Sequence, residues 1–179
     1  VNTLAIDPQT PDTLYAGTYR GLFKSTNGAA SWTAVNTGLT NTLVEDFAIN
    51  PQTPDILYAG IGGSGVYKST NGGVSFTAMN TGLTNPSVQA LAINPQTPDT
   101  LYAGTNGGVF KSTSAGTSWT AINNGLGSAG VWALAIHPQT PDIIYAGTLG
   151  DGIFKSTNGG TSWTAINAGL TNTSVWALA

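Results

Sequence analysis

STNGGTSW, residues 156–163, decides the fold, because the chain carries four versions of it. STNGAASW begins at Ser25, STNGGVSF at Ser69 and STSAGTSW at Ser112. A second phrase, PQTPD, keeps the same beat at residues 8–12, 51–55, 95–99 and 138–142, with starts spaced 43, 44 and 43 apart. Between the two phrases stand LYAG or IYAG and then an apolar–aromatic–Lys–Ser–Thr run such as VFKST. A self-similar period of this length signals a repeat architecture. It divides the chain into blade-sized units at 1–43, 44–87, 88–130 and 131–174, and residues 175–179 (VWALA) restart the first segment of a fifth copy.

Each copy holds four short runs with strand chemistry. In the third copy they are expected at 88–93, 100–105, 109–113 and 118–123. The last run alternates, with Trp119, Ala121 and Asn123 opposite Ser118, Thr120 and Ile122. Pro95 and Pro98 interrupt a ladder, and Gly107-Gly108 permits a tight turn. Four strands of roughly 5–6 residues with connections of about 5 fill one repeat. The expected fold is therefore all-β, with one four-stranded antiparallel propeller blade per repeat.

The eight-residue phrase reads as the hairpin between third and fourth strands. Ser25 and Asn27 can bond turn amides, as can Ser69 and Asn71, Ser112 and Ser114, and Ser156 and Asn158. The closing aromatics Trp32, Phe76, Trp119 and Trp163 are expected to fold into the space between sheets. The phrase resembles the Asp-box, or BNR repeat, Ser-x-Asp-x-Gly-x-x-Trp. That repeat occurs in sialidases, xyloglucanase-type glycoside hydrolases, sortilin-like receptors and photosystem assembly factors. Asn stands for the Asp at 27, 71 and 158, Ser114 does so in the third copy, and Ala29 replaces the middle Gly of the first. In that family the box is a structural turn remote from active sites, so the resemblance implies a propeller and not a reaction.

Composition narrows the function. Five Lys+Arg against eight Asp+Glu leave a net charge of −3, so no basic surface exists for nucleic acid. With no Cys and His137 alone, neither a thiolate nor a Cys/His metal site can form, and no metal or cofactor is expected. No apolar run approaches the roughly 18 residues of a membrane span, so no membrane partner is expected. A chain starting at Val1 without a leader is expected to be a mature form, an excised piece or a designed sequence. Low charge with abundant Thr, Asn and Gly resembles secreted proteins, which points to an extracellular location.

Propellers close with about 4–8 blades, and Asp-box propellers resemble rings of six, seven or more. Residues 1–6 and 175–179 both fit the first-strand place of a blade. An open arc of four blades would expose apolar faces at both ends. The expected partner is thus another copy, most simply a dimer completing a ring of about eight blades. A fragment of a longer propeller is the alternative.

The copies differ most in the second-to-third-strand loops (18–21, 61–65, 105–108 and 148–152) and at the start of the first strand. There stand Asn2, Glu45-Asp46, Gln89, Trp132 and Trp176. These positions should converge on one face around the central opening. The four PQTPD aspartates and Asp7 read as turn formers, whereas Glu45, Asp46 and Asp151 are idiosyncratic. Glu45 and Asp46, adjacent on a strand, are expected to face opposite ways, which denies them the paired geometry of a glycosidase. The repeated Lys24, Lys68, Lys111 and Lys155 read as scaffold, and a three-arginine sialidase site cannot be made from Arg20 alone. His137 reads as a turn residue, and no G-x-S-x-G elbow is present. No catalytic residue is assigned. Trp132 and Trp176, with Glu45, Asp46, Arg20 and Asp151, form the candidate ligand set, since aromatic faces beside polar groups suit a glycan or protein ligand. Core packing between blades is the competing role for the two tryptophans. The expected function is a non-enzymatic structural or binding module that self-assembles; the alternative is part of an extracellular carbohydrate-binding or glycoside-hydrolase-like propeller.

Overall fold

The computed structural model describes residues 1–127 and 129–178. Ser128, within the third repeat, and Ala179, last of the 175–179 stretch, lie outside the described residues. Among the described residues sixteen strands form four antiparallel sheets, each in sequential order: β1–β4 from Thr3 to Ala34, β5–β8 from Val44 to Ala78, β9–β12 from Val88 to Ala121, and β13–β16 from Val131 to Ala165. In blade one β1 (Thr3–Ile6) is followed by β2 (Leu14–Thr18) and β3 (Gly21–Ser25); the first strands β1, β5 (Val44–Ile49), β9 (Val88–Ile93) and β13 (Val131–Ile136) pack one against the next. They therefore line the inside of an arc of blades, with the fourth strands at its outer rim.

The second strand shows how the repeat builds the stack. In β6 (Leu57–Ile61), Leu57 and Ala59 pack towards the preceding blade and Tyr58 towards the following one. Period-two alternation thus seals both faces of one strand. The glycine of LYAG admits the neighbour, because a Cβ at Gly60 would stand 2.7 Å from Val88 Cγ1. Three apolar cores result, joining blades one to two, two to three and three to four.

Polar groups cross each junction at fixed places. Tyr15 Oη and Lys24 Nζ both donate to the Gly72 carbonyl, at 3.1 and 2.9 Å. Tyr58 and Lys68 do the same to Ala115, and Tyr102 and Lys111 to Gly159. Burial, with Asp99 and Asp142 nearby, pushes the Tyr58 and Tyr102 hydroxyls up to about 12, so both stay protonated donors. At the PQTPD turns, Gln9 donates to the Gln52 carbonyl, Gln52 to Gln96 and Gln96 to Gln139. The repeated lysines are scaffold in this concrete sense, and the PQTPD glutamines add a peripheral clasp.

The fourth strand is shorter than its sequence pattern predicts. Each is two residues long, Thr120–Ala121 in the third blade, and Ala121 is exposed. The chain leaves the sheet on both sides of it. Trp119 N donates across the junction to Thr81 O at 2.9 Å, and the Asn123 side chain accepts from Val109 N at 2.7 Å in place of a ladder carbonyl. In the boxed turn Asn27 Oδ1 accepts from Ser31 N and Ser25 Oγ from Ala29 N, both at 3.0 Å. His137 Nδ1 accepts from Thr140 N at 3.1 Å, which makes it a turn residue.

The arc is open. Phe76, Trp119 and Trp163 are each 4% exposed inside junctions, but Trp32, at the leading end, is 38% exposed. Val1 is 83% exposed where Val44, Val88 and Val131 are fully buried. Val175 packs on Gly147 as Val131 packs on Gly104, so residues 175–178 occupy the place of a fifth first strand. They make no strand there. The Leu149–Ser174 bridge and a bond from Val175 N–H to Thr148 O at 2.9 Å tie them down, and among the described residues no second strand stands beside them to pair with.

Candidate functional site

The starts of the first strands converge on a cleft of about 390 Å³ at the inner side of the arc. Asn2, Glu45, Gln89, Trp132 and Trp176 follow one another around it, one from each successive repeat. Glu45 sits at a register shift, since Val44 opposes Ile61 but Asp46 opposes Gly60. Gln89 and Trp132 occupy the same bulge in β9 and β13. A bulge inserts one unpaired residue and re-aims its neighbour. Both Glu45 and Asp46 border the cleft, Glu45 half-buried beside Asn2 and Asp46 with its carboxylate turned into bonds between blades.

The two carboxylates differ in their surroundings. Asp46 Oδ1 accepts from Thr3 Oγ1 at 2.9 Å and Phe47 N at 2.8 Å, and Oδ2 accepts from Leu91 N at 2.7 Å. It ties the inner strands of three blades together. Burial pushes its carboxyl above the usual aspartate value, and these three bonds act in the opposite direction. Glu45 is pushed up by burial alone. Its contact is Asn2 Nδ2 at 3.3 Å, the same amide that donates to Val44 O at 2.9 Å.

Trp132 and Trp176 meet edge to face with ring centroids 5.0 Å apart, and Trp176 is largely exposed. The cleft therefore places an aromatic pair at one end and two carboxylates at the other, with the Gln89 amide between them in sequence order. Such a surface can stack on an apolar ring face while accepting bonds from hydroxyl or amino groups. Among the described residues no group of three or more His, Cys, Asp or Glu is placed to hold a metal ion.

Arg20 and Asp151 are not brought into this cleft. Arg20 lies exposed on the β2–β3 turn, its backbone N–H bonded to Thr18 Oγ1. Asp151 is likewise exposed, and its carbonyl accepts from Asn167. From the Arg20 loop it is the neighbouring Tyr19 that lines the cleft. An aromatic at the tip of a variable loop is the sequence signal for this position.

No protein-family model and no curated protein matches the chain. Solved structures do. An ancestral GH74 enzyme superposes with a TM-score of 0.78 at 25% identity, over 93% of this chain and 24% of its own. This is the propeller fold. The GH74 xyloglucanase from Xanthomonas campestris gives 0.74 at 20% identity, over 96% and 31% of the two chains. The extracellular domain of BT4673 from B. thetaiotaomicron gives 0.76 at 18%, over 98% and 24%. The chain thus spans a quarter to a third of the length of these propellers.

Proposed function

We propose that the chain is a non-enzymatic propeller module that completes its ring with a second copy of itself and presents the inner cleft as its ligand face. One observation carries the reading: three blade junctions are sealed, while the same side chains at the two ends of the arc stand bare. The boxed turns are of the Asp-box kind in sequence, and the bonding of Ser25, Asn27 and Ser31 supports a purely structural role for them. The absence of catalysis is supported by Asp46, whose oxygens are both engaged in holding blades together, leaving Glu45 without a second working carboxylate. The likeness to an extracellular domain supports an extracellular location. Size exclusion with light scattering tests the reading. A mass of twice 18.2 kDa is expected, and 18.2 kDa at every concentration overturns it.

A second reading, that the cleft of the single four-blade chain binds carbohydrate, is favoured by the Trp132–Trp176 pair beside Glu45 and Gln89. A glycan array with the chain and its Trp132→Ala and Trp176→Ala variants tests it. Binding lost in both variants supports a sugar site; no binding, or binding unchanged in both, removes it.

A further inference from the structure

The two bare ends of the arc carry complementary halves of the junction that the chain forms three times within itself. On the leading face, Val1, Leu4, Ala16, Thr18, Phe23 and Trp32 line an almost wholly apolar groove of about 380 Å³. Their counterparts Phe47, Ala59, Tyr67 and Phe76 are buried against blade one. On the trailing face, Ile166 and Leu170 are 43% and 42% exposed. Leu126, the counterpart of Leu170, is 1% exposed under blade four.

The polar groups match as well. Tyr145 and Lys155 stand where Tyr102 and Lys111 stand one blade earlier, and Lys155 Nζ lies 5.6 Å from the Tyr145 ring centroid, against 5.4 Å for the earlier pair. The donors are already in junction geometry. Gly28 holds the box position of Gly72, Ala115 and Gly159, the three carbonyls that accept these donors elsewhere. Trp119 and Trp163 donate their indole N–H across junctions to Met79 O and Ile122 O at 2.8 and 2.7 Å, and the corresponding pair is Trp32 and Ile166. A Cβ at Gly38, Gly82 or Gly125 would collide with the carbonyl of the next blade's closing aromatic, whereas the space beside Gly169 is open.

Resting on the ring-closing reading above, we infer that the trailing face of blade four docks head to tail on the leading face of blade one of a second copy. Tyr145 and Lys155 of one protomer donate to the Gly28 carbonyl of the other, and Trp32 of the second enters between Ile166 and Leu170 of the first. Two such junctions related by a two-fold axis close the ring. A second copy is the occupant the faces select, because Tyr145 and Lys155 on one end and Trp32 on the other each have the matching acceptor position opposite. Residues 175–178 stand in the slot that the incoming β1 must take. They are held by the adjoining Leu149–Ser174 bridge and the Val175 N–H bond to Thr148 O, and the incoming β1, already paired with its own β2 at four positions, displaces them.

Two single variants test the face assignment. Trp32→Asp alters only the leading face and Leu170→Asp only the trailing one, both at partly exposed positions of the single chain, so melting curves should show each variant folded. The wild-type chain is expected at twice 18.2 kDa and each variant at 18.2 kDa. An equimolar mixture is expected to return to the doubled mass, because the first variant keeps its trailing face and the second its leading face. A wild-type chain that stays monomeric overturns the ring-closing reading itself. A wild-type dimer that survives either substitution, or a mixture of folded variants that stays monomeric, overturns the head-to-tail assignment while self-association stands.

Discussion

Lys111 Nζ donates to the Gly159 carbonyl at 3.0 Å, and Tyr102 Oη reaches the same oxygen at 3.3 Å. Two donors from one blade thus converge on a single box carbonyl of the next. Tyr102→Phe should destabilise the chain by about 0.5–1.5 kcal/mol, the usual net value of one hydrogen bond. Tyr145→Phe should cost the isolated four-blade arc nothing comparable, because its acceptor belongs to another copy. Urea unfolding of both variants, read against the wild type below the association concentration, checks the contrast.

The closing aromatics should divide in the same way. Trp163→Ala removes a side chain that is 4% exposed and bonded to Ile122 O, and should cost about 3–5 kcal/mol. Trp32→Ala should cost the single chain a small part of that while abolishing dimerisation. Thermal melts of dilute samples, paired with solution masses, separate the two effects.

Ala29 holds φ at 68°, where its counterpart Gly73 needs no Cβ. A left-handed residue with a side chain costs about 1–2 kcal/mol, and glycine returns roughly 0.5–1 of that through unfolded-state entropy. Ala29→Gly should therefore stabilise the chain by roughly 0.5–1 kcal/mol. Denaturant titration reads the change directly.

Repetition makes the sheets legible in the sequence: the LYAG strand, the boxed hairpin and the closing aromatic each recur at one spacing. The bulge at Glu45 was not legible, because register depends on how β5 meets β6 and not on either strand alone. The two-residue fourth strands escaped for a related reason. Their flanking groups bond to a neighbouring blade and to an asparagine side chain, so local alternation misreports them. Of the candidate ligand residues, the four at first-strand starts lie together in the cleft, because one repeat position maps to one place on the arc. Arg20 and Asp151 lie in loops whose length varies between copies, and that variation breaks the mapping.

The cleft carboxylates give stability a definite pH sign. Burial raises Glu45 above its ordinary 4.5, so the folded state holds that proton more tightly than the unfolded chain. The favourable contribution is complete below 4.5 and is lost as pH rises through the folded value. Glu45→Gln abolishes this dependence. The difference, variant melting temperature minus wild-type melting temperature, should increase as pH goes from about 4 to 7, and a difference that stays flat or decreases across that range contradicts the assignment.

A crystal structure of the assembled chain tests the central claim most directly. The account predicts a closed ring of two protomers, with Tyr145 Oη and Lys155 Nζ of each within hydrogen-bond reach of the other's Gly28 carbonyl and both Trp32 rings buried. Four blades closing upon themselves, or two protomers meeting leading face to leading face, would contradict it.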